Sequence, residues 1–449
     1  MPNRPLNIVY LHSHDTGRYV QPYGYAVETP RLQAFAEESV LFRNAFCVNP
    51  TCSASRTGLL TGMYPHEAGM LGLAHRGSRL TDPSRHLASF LSTHGYHTAL
   101  SGVQHEARHD EKASLGYQML LDAALSSIQL ETGDDSAAAR AQRYLTDRLH
   151  GDKPFFLSCG FFATHRTGKV QWHNGDEPLG EARYVRPPAC LPDTPETRAD
   201  FADYRVAAGR LDRYMGTVLD AIDQAGRRED TLVICTTDHG IAFPGMKCNL
   251  TDHGTGVMLM LRGPGLGGGR VIDPMVTHMD VFPTVCELIG IDKPAWLRGK
   301  SLLPLVRGEV ESLHEAVYAT LNFHAAYEPQ RGVRTQRHRY IRRWNVLPHP
   351  VLSNVDDGAS KNLLIAEGWR QRPQRAESLY DLVFDPTESC DLSQDPKYAG
   401  VLEQMRGRLD AWMKETNDPL LSGSVPARSG YILNPVDGLS PQEKPDPVP

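Results

Sequence analysis

A large, mostly parallel α/β sheet sandwiched by helices, followed by a smaller α+β C-terminal subdomain, is the fold class predicted by the 449-residue sequence. Three observations carry this expectation. Short continuous apolar runs recur between residues 7 and 263. Amphipathic helical patterns separate them. Near residue 330 the texture changes to strand and turn segments closed by one helical stretch.

The runs "NIVYL" (7–11), "HTALSG" (97–102), "PFFLSCGF" (154–161), "TLVICTTD" (231–238) and "VMLMLRG" (257–263) have the length and continuity of strands buried on both faces. After the first, "TPRLQAFAEE" predicts a helix that Thr29 caps and Pro30 opens. "ADFADYRVAAGRLDRYMGTVLDAIDQAG" predicts a long one. Its Leu211, Met215, Val218, Leu219 and Ile222 form one apolar stripe, and Gly226 stops it. Further on, "GVRTQRHRYIRRWNVL" and "ESLYDLVFDPTESCDLSQDP" predict strands and turns, and "GVLEQMRGRLDAWMKET" a helix. The last segment, rich in proline, glycine and serine, predicts an extended tail that wraps the surface or frays. The division expected is a catalytic domain over 1–328, a subdomain over 329–420 and a tail over 421–449.

Composition narrows the class. Apolar residues make up 40% and charged residues 22%, ordinary values for a globular protein. A net charge of −6 argues against a general nucleic-acid or anionic-membrane binder. No run approaches the ~20 apolar residues of a spanning helix, and no secretory leader precedes the first strand, so a cytoplasmic protein is expected. The eight cysteines form no CxxC pair, which points away from zinc knuckles and disulfide frameworks. The sequence carries no signal of oligomeric state.

Open α/β sheets gather reactive groups at the carboxyl ends of strands. Four stretches fit that place. They are "LHSHDTG" with His12, His14 and Asp15, "NPTCSASRTGLLTG" with Cys52 and Arg56, "FFATHRTG" with His165, and "TTDHGIAFPGMKCNL" with Asp238, His239 and Lys247. The pairs His14-Asp15 and Asp238-His239 stand far apart in sequence, and one divalent metal held between the two loops accounts for both. Each feature alone has a plainer reading: an Asp-His pair as a loop cap, His165 as a core histidine, Cys52 as a small buried hydrophobe. Their occurrence together, each close behind a strand, favours a site.

"CSASRTGLLTG" resembles the signature of the sulfatases, Cys-x-Pro/Ala-x-Arg followed by an apolar pair, Thr and Gly. "TPRLQAFAEESVLFRNAF", "THMDVFPTVCELIGI" and "SLYDLVFDPTESCDL" resemble further segments of that family, so the likeness runs from residue 6 to about 418. "PFFLSCGFFATHR" and "DTPETRADFADYRVAAGRLDRYMGTVLDAI" resemble the heparan N-sulfatases (sulfamidases) most. The resemblance implies an alkaline-phosphatase-like fold and a metal-dependent hydrolase of sulfate esters or sulfamates, on a sulfated sugar. It also implies a formylglycine-generating enzyme as maturation partner, which oxidises Cys52.

Carried over, the resemblance gives each residue a role. Cys52, as formylglycine hydrate, offers one hydroxyl to attack sulfur, and Arg56 holds it. His165 protonates the leaving atom and Lys247 clamps the sulfate. His105 takes the proton of the second hydroxyl, expelling sulfate. His14, Asp15, Cys52, Asp238 and His239 are the implied metal ligands.

Four positions make three departures from the family pattern. Ala54 stands where proline is usual. His14 and His239 replace an aspartate and an asparagine, which favours zinc, manganese or iron over calcium. Val103 replaces a sulfate-contacting lysine, with His12, His253, Arg76 or His324 as candidate substitutes. His66 and Asp280 read as structural. Two alternatives stand beside the sulfatase reading: a phosphonate monoester or phosphodiester hydrolase on the same fold, and a non-catalytic metal-binding protein with unmodified Cys52. The loops 64–80, 105–115, 165–190 and 322–350 are expected to set specificity.

Overall fold

The computed structural model describes residues 5–122, 133–148, 153–166, 172, 179–344 and 347–447. Part of the expected specificity loop 165–190 therefore lies outside the described residues. An eight-stranded sheet forms the centre. Its strands are β1 (Asn7–Ser13), β2 (Val40–Phe42), β4 (His97–Gly102), β5 (Met119–Leu120), β6 (Phe155–Gly160), β7 (Thr231–Thr237), β9 (Leu259–Arg262) and β10 (Arg270–Ile272). They lie in the order β10-β2-β9-β7-β1-β6-β4-β5.

All neighbours run parallel except β9, which is antiparallel to both β7 and β2. Parallel strands need a crossover. Between β7 and β9 the chain turns back through a long loop that carries Asp238, His239 and Lys247 and ends in one helical turn, Asp252–Thr255, and a two-residue strand, Gly256–Val257.

Strand periodicity places the core on both faces. In β1, Ile8 and Tyr10 join one apolar cluster with Phe156, Ile234 and Phe282, while Val9 and Leu11 join another with Leu157, Val233 and Leu211. The long helix spans Pro195–Gln224, with the expected stripe of Leu211, Met215, Val218, Leu219 and Ile222 buried. Gly226 takes a left-handed φ of 64°, which stops it as expected.

Two local expectations are corrected. Thr29 precedes the helix Pro30–Glu37 but does not cap it. Its hydroxyl accepts from Gln21 N at 2.9 Å, and the long helix supplies the cap instead: Asp212 accepts from Arg31 N at 3.1 Å and Leu32 N at 2.8 Å. "VMLMLRG" is not one strand. Met258 N turns to Gly17 O at 2.8 Å, so Gly256–Val257 (β8) leaves the large sheet. It pairs with β3 (Ala45–Phe46), which also pairs with β11 (Val276–Thr277).

The C-terminal part builds an antiparallel sheet of β12 (Val317–Phe323), β13 (Tyr327–Arg334), β14 (His338–Arg343) and β15 (Glu377–Asp381). Its first strand lies ahead of residue 329, inside the segment given to the larger domain. The helix Ala399–Glu415 covers this sheet, and Trp412, Leu379 and Phe323 share a core with Val48, Tyr64 and Leu71 of the first part. The tail ends in the short hairpin of β16 (Ile432–Leu433) and β17 (Asp446–Pro447). Among the described residues, no helix is long and apolar enough to cross a membrane.

Candidate active site

Cys52 opens the helix Cys52–Thr61, all of whose residues are buried. Gly58 lets this helix lie against the preceding chain, since a Cβ there would fall 2.3 Å from Val48 Cγ2. At the helix N-terminus the backbone dipole favours negative charge. Arg56, one turn on, shares the face of Cys52. Its guanidinium donates to Ser13 O at 2.8 Å and Asp238 Oδ2 at 3.0 Å, and lies 2.6 Å from His12 Nδ1.

Around the sulfur the strand-end loops converge. Cys52 Sγ lies 3.4 Å from His239 Nε2 and 4.0 Å from Asp15 Oδ1. His239 Nε2 lies 3.4 Å from Asp15 Oδ1, and His14 Nδ1 lies 3.3 Å from Asp238 Oδ2. Asp15, at a left-handed φ of 51°, donates its N–H to Asp238 Oδ1 at 2.8 Å and so ties the two loops together. Burial raises the Cys52 thiol pKa well above its usual value, against the pull of Lys247. Burial also disfavours the Asp238 anion, but His239 and Arg56 outweigh it and hold the carboxyl below the usual range.

These groups fit a divalent cation. Ligand atoms of His14, Asp15, Cys52 and Asp238 all lie within 4.8 Å of one another, and so do those of His14, Cys52 and His105. Neither ring nitrogen of buried His14 has a hydrogen-bond partner among the described residues. His239 Nδ1 donates to Gly240 O at 3.0 Å, which leaves Nε2 as the ligand atom, the usual tautomer control of a metal-binding histidine. His105 thus stands among potential ligands as well as beside the nucleophile position; its ring meets that of His14 edge-on at 4.5 Å.

Lys247 links the metal cluster to the substrate side. Its ammonium donates to Asp15 Oδ2 at 2.8 Å and lies 3.1 Å from Asp356 Oδ2 and 3.2 Å from His165 Nε2. Burial works against that charge, but Asp15 and Asp356 win and the lysine pKa rises. His165 Nδ1 donates to Arg166 O, which turns Nε2 toward Lys247.

A cavity of about 510 Å³ opens over these groups, lined by Cys52, His105, His165 and Lys247. The nine site residues read from the sequence therefore come together. Val103, at the position where the resemblance implies a lysine, lines the cavity. Of its four candidate substitutes, Arg76 and His324 also line it. His12 instead lies 3.2 Å from Ser158 Oγ behind Arg56, and His253 Nδ1 lies 3.1 Å from Tyr19 OH. His66 packs against Tyr64 and Trp412, and Asp280 accepts from Thr277 N and Lys300 N, both structural as expected.

Residues of all four expected specificity loops line the cavity, among them Arg76, Arg108, Arg166 and Ala325. Asp356, Asp357, Pro441 and Gln442 line it too and were not expected. "VDDG" gives no periodic or motif signal, and the tail reads as connecting chain.

A sequence profile described as Sulfatase matches residues 6–291, and one described as N-sulphoglucosamine sulphohydrolase, C-terminal, matches residues 247–357. The human protein named N-sulphoglucosamine sulphohydrolase is 31% identical, over 98% of this chain and 95% of its own. A solved structure titled as a 2-O GAG sulfatase has a TM-score of 0.70 at 23% identity, covering 95% of each chain. The phosphonate monoester hydrolase of Agrobacterium radiobacter has a TM-score of 0.67 at 20% identity, covering 93% of this chain and 97% of that one. The fold is thus common to both chemistries, while the profile over 6–291 and the human relative decide the lineage: the chain belongs to the sulfatase family.

Proposed function

We propose that the protein is a sulfohydrolase of sulfated sugars, with the sulfamate of an N-sulfated amino sugar as its first substrate, and that Cys52 acts as formylglycine. One observation carries the reading: the Cys52 sulfur sits at a buried helix N-terminus among two carboxylates, three imidazoles and a lysine. Burial pushes the pKa of this thiol upward, against the pull of Lys247. Formylglycine hydrate supplies there a hydroxyl nucleophile that the thiol does not. The match over 247–357 and the human relative support the amino-sugar substrate.

His14, Asp15, Asp238 and His239, with the Cys52-derived group, would hold one divalent metal, which supplies Lewis-acid activation. Two imidazoles in the donor set favour zinc, manganese or iron over calcium. Arg56 is fixed by Ser13 O and Asp238 and keeps that carboxylate charged. Lys247 offsets the negative charge of the sulfo group. His165, oriented through Nδ1, presents Nε2 as the proton donor to the leaving nitrogen or oxygen. His105 takes the proton when sulfate leaves.

The test is sulfate release from N-sulfoglucosamine, sulfated monosaccharides and aryl sulfates, with Cys52→Ala as control and mass spectrometry of the Cys52 peptide. Confirmed formylglycine without sulfate release from any of them would sink the proposal. Metal analysis finding stoichiometric calcium and no transition metal would overturn the metal assignment. Val103 in the cavity favours a second reading, phosphonate or phosphodiester hydrolysis, because a lysine contact to the anion is absent there. Faster turnover of an aryl phosphonate than of the matched aryl sulfate would select it.

A further inference from the structure

The tail lies on the cavity. Pro441 and Gln442 line the space that also reaches Cys52. Cys52 is 3% exposed, whereas Gln442 is exposed, so the sulfur marks the floor and the tail the rim. We propose that residues 430–447 form the wall that makes this pocket accept only the terminal residue of a saccharide. The proposal rests on the sulfated-sugar reading above and names a determinant of substrate length.

The tail is fastened at the cavity itself. Arg76, a lining residue, donates to Asn434 Oδ1 at 2.7 Å and to Pro441 O at 3.3 Å. On Asp357, another lining residue, the Ser440 hydroxyl donates to one carboxylate oxygen and Lys361 to the other at 2.7 Å. Asn434 is the hub of the turn: its amide donates to Ser440 O, Pro441 O and Glu443 O at 3.3, 3.4 and 3.0 Å. Its backbone N–H donates to Ala325 O at 2.8 Å.

Close packing holds the entry to this segment. Gly77, at a φ of 101°, meets the tail backbone so closely that a Cβ would lie 2.5 Å from Gly430 O. Tyr431 is 2% exposed and packs on Phe323. Every polar tie named here belongs to a segment whose sequence lacks apolar periodicity, so the tail is positioned by hydrogen bonds spent at the rim.

Two consequences follow for the substrate. Arg76 is committed to the tail and does not replace the missing lysine of position 103; its cavity position serves the wall. A saccharide that continues beyond its sulfated residue needs an exit from the pocket, and between Arg76 and Asp357 the tail occupies part of that rim. At about 510 Å³ the cavity lies within the roughly 300–1,000 Å³ range of small-molecule sites.

Calorimetric binding tests this without depending on the state of Cys52. The full-length protein, a chain ended after Ser429, and Asn434→Ala are each titrated with a sulfated monosaccharide and with a tetrasaccharide sulfated only at an internal residue. We expect the full-length protein to bind the monosaccharide at least about 100-fold more tightly than the tetrasaccharide. Either variant should keep monosaccharide affinity within about threefold and tighten the tetrasaccharide about tenfold. If the shortened chain does not fold, Asn434→Ala alone carries the test. Monosaccharide binding with an unchanged ratio in a folded variant overturns the tail's role alone. Binding of neither saccharide by a full-length protein that cleaves aryl sulfates overturns the sugar reading and this proposal together.

Discussion

Beneath the cavity, His239 donates from Nδ1 to Gly240 O, and neither ring nitrogen of His14 has a hydrogen-bond partner among the described residues. Both imidazoles thus keep a ring nitrogen available as a candidate metal ligand. The double variant His14→Asp/His239→Asn restores an oxygen-rich set, and its purified metal content should shift from transition metal to calcium by plasma mass spectrometry. Retention of zinc, manganese or iron would count against ligation by these histidines. Arg56 offers a second test. Arg56→Lys keeps the charge but cannot reach Ser13 O and Asp238 as a fork, so kcat should fall about 100-fold or more, roughly 2.7 kcal/mol of barrier. At this scale the candidate site was legible, because its residues stand beside one another in short strings at strand ends. Asp356 was not, since its ion-pair partner Lys247 comes from a loop more than a hundred residues earlier.

Helix ends show where local reading stops. His86 caps the helix Leu87–Thr93, accepting from Ala88 N through Nδ1 at 3.1 Å, which requires the neutral ring. Burial pushes its pKa down to about 3, against about 6.5 in an unfolded chain. The unfolded state therefore binds the proton first as pH falls, so this stabilisation is complete above about 6.5 and is lost toward about 3. Asn caps as well and does not titrate. In His86→Asn the melting temperature should fall less between pH 7 and pH 5 than in the native protein; an equal fall would show that the His86 proton is not taken up on unfolding. The cap on the helix Pro30–Glu37 had no comparable signal: Thr29 looked like the cap, but Asp212 of the distant long helix does the work. Likewise, nothing in "VMLMLRG" marks the break at Met258, whose N–H is drawn to Gly17 O by the neighbouring loop. Local patterns report what a segment can do, and the competing partner across space decides.

Across the molecule, the C-terminal sheet clamps the loop that delivers Lys247. Arg334 and Arg339 both donate to Asp252, which begins the turn after that loop, and Leu250 packs against Leu321 and Ile341. Beneath them, fully buried Arg331 forms a bidentate pair with Asp418 and donates to Leu321 O at 3.0 Å. Arg331→Met leaves Asp418 buried without its counter-charge, so denaturant unfolding should register a loss of about 3–5 kcal/mol. A change below about 1 kcal/mol would mean that solvent reaches Asp418. The burial of the whole Cys52–Thr61 helix has a further consequence, one of timing. The proposed conversion of Cys52 by another protein would need access to this residue, which the buried helix does not give. On that proposal, maturation would be a race between the modifying catalyst and collapse of the nascent polypeptide, and its outcome would be permanent. Unconverted protein incubated with that catalyst should stay a thiol when native and become an aldehyde only after denaturation or as a free peptide. On that proposal, each molecule's catalytic fate would be settled before it has a shape.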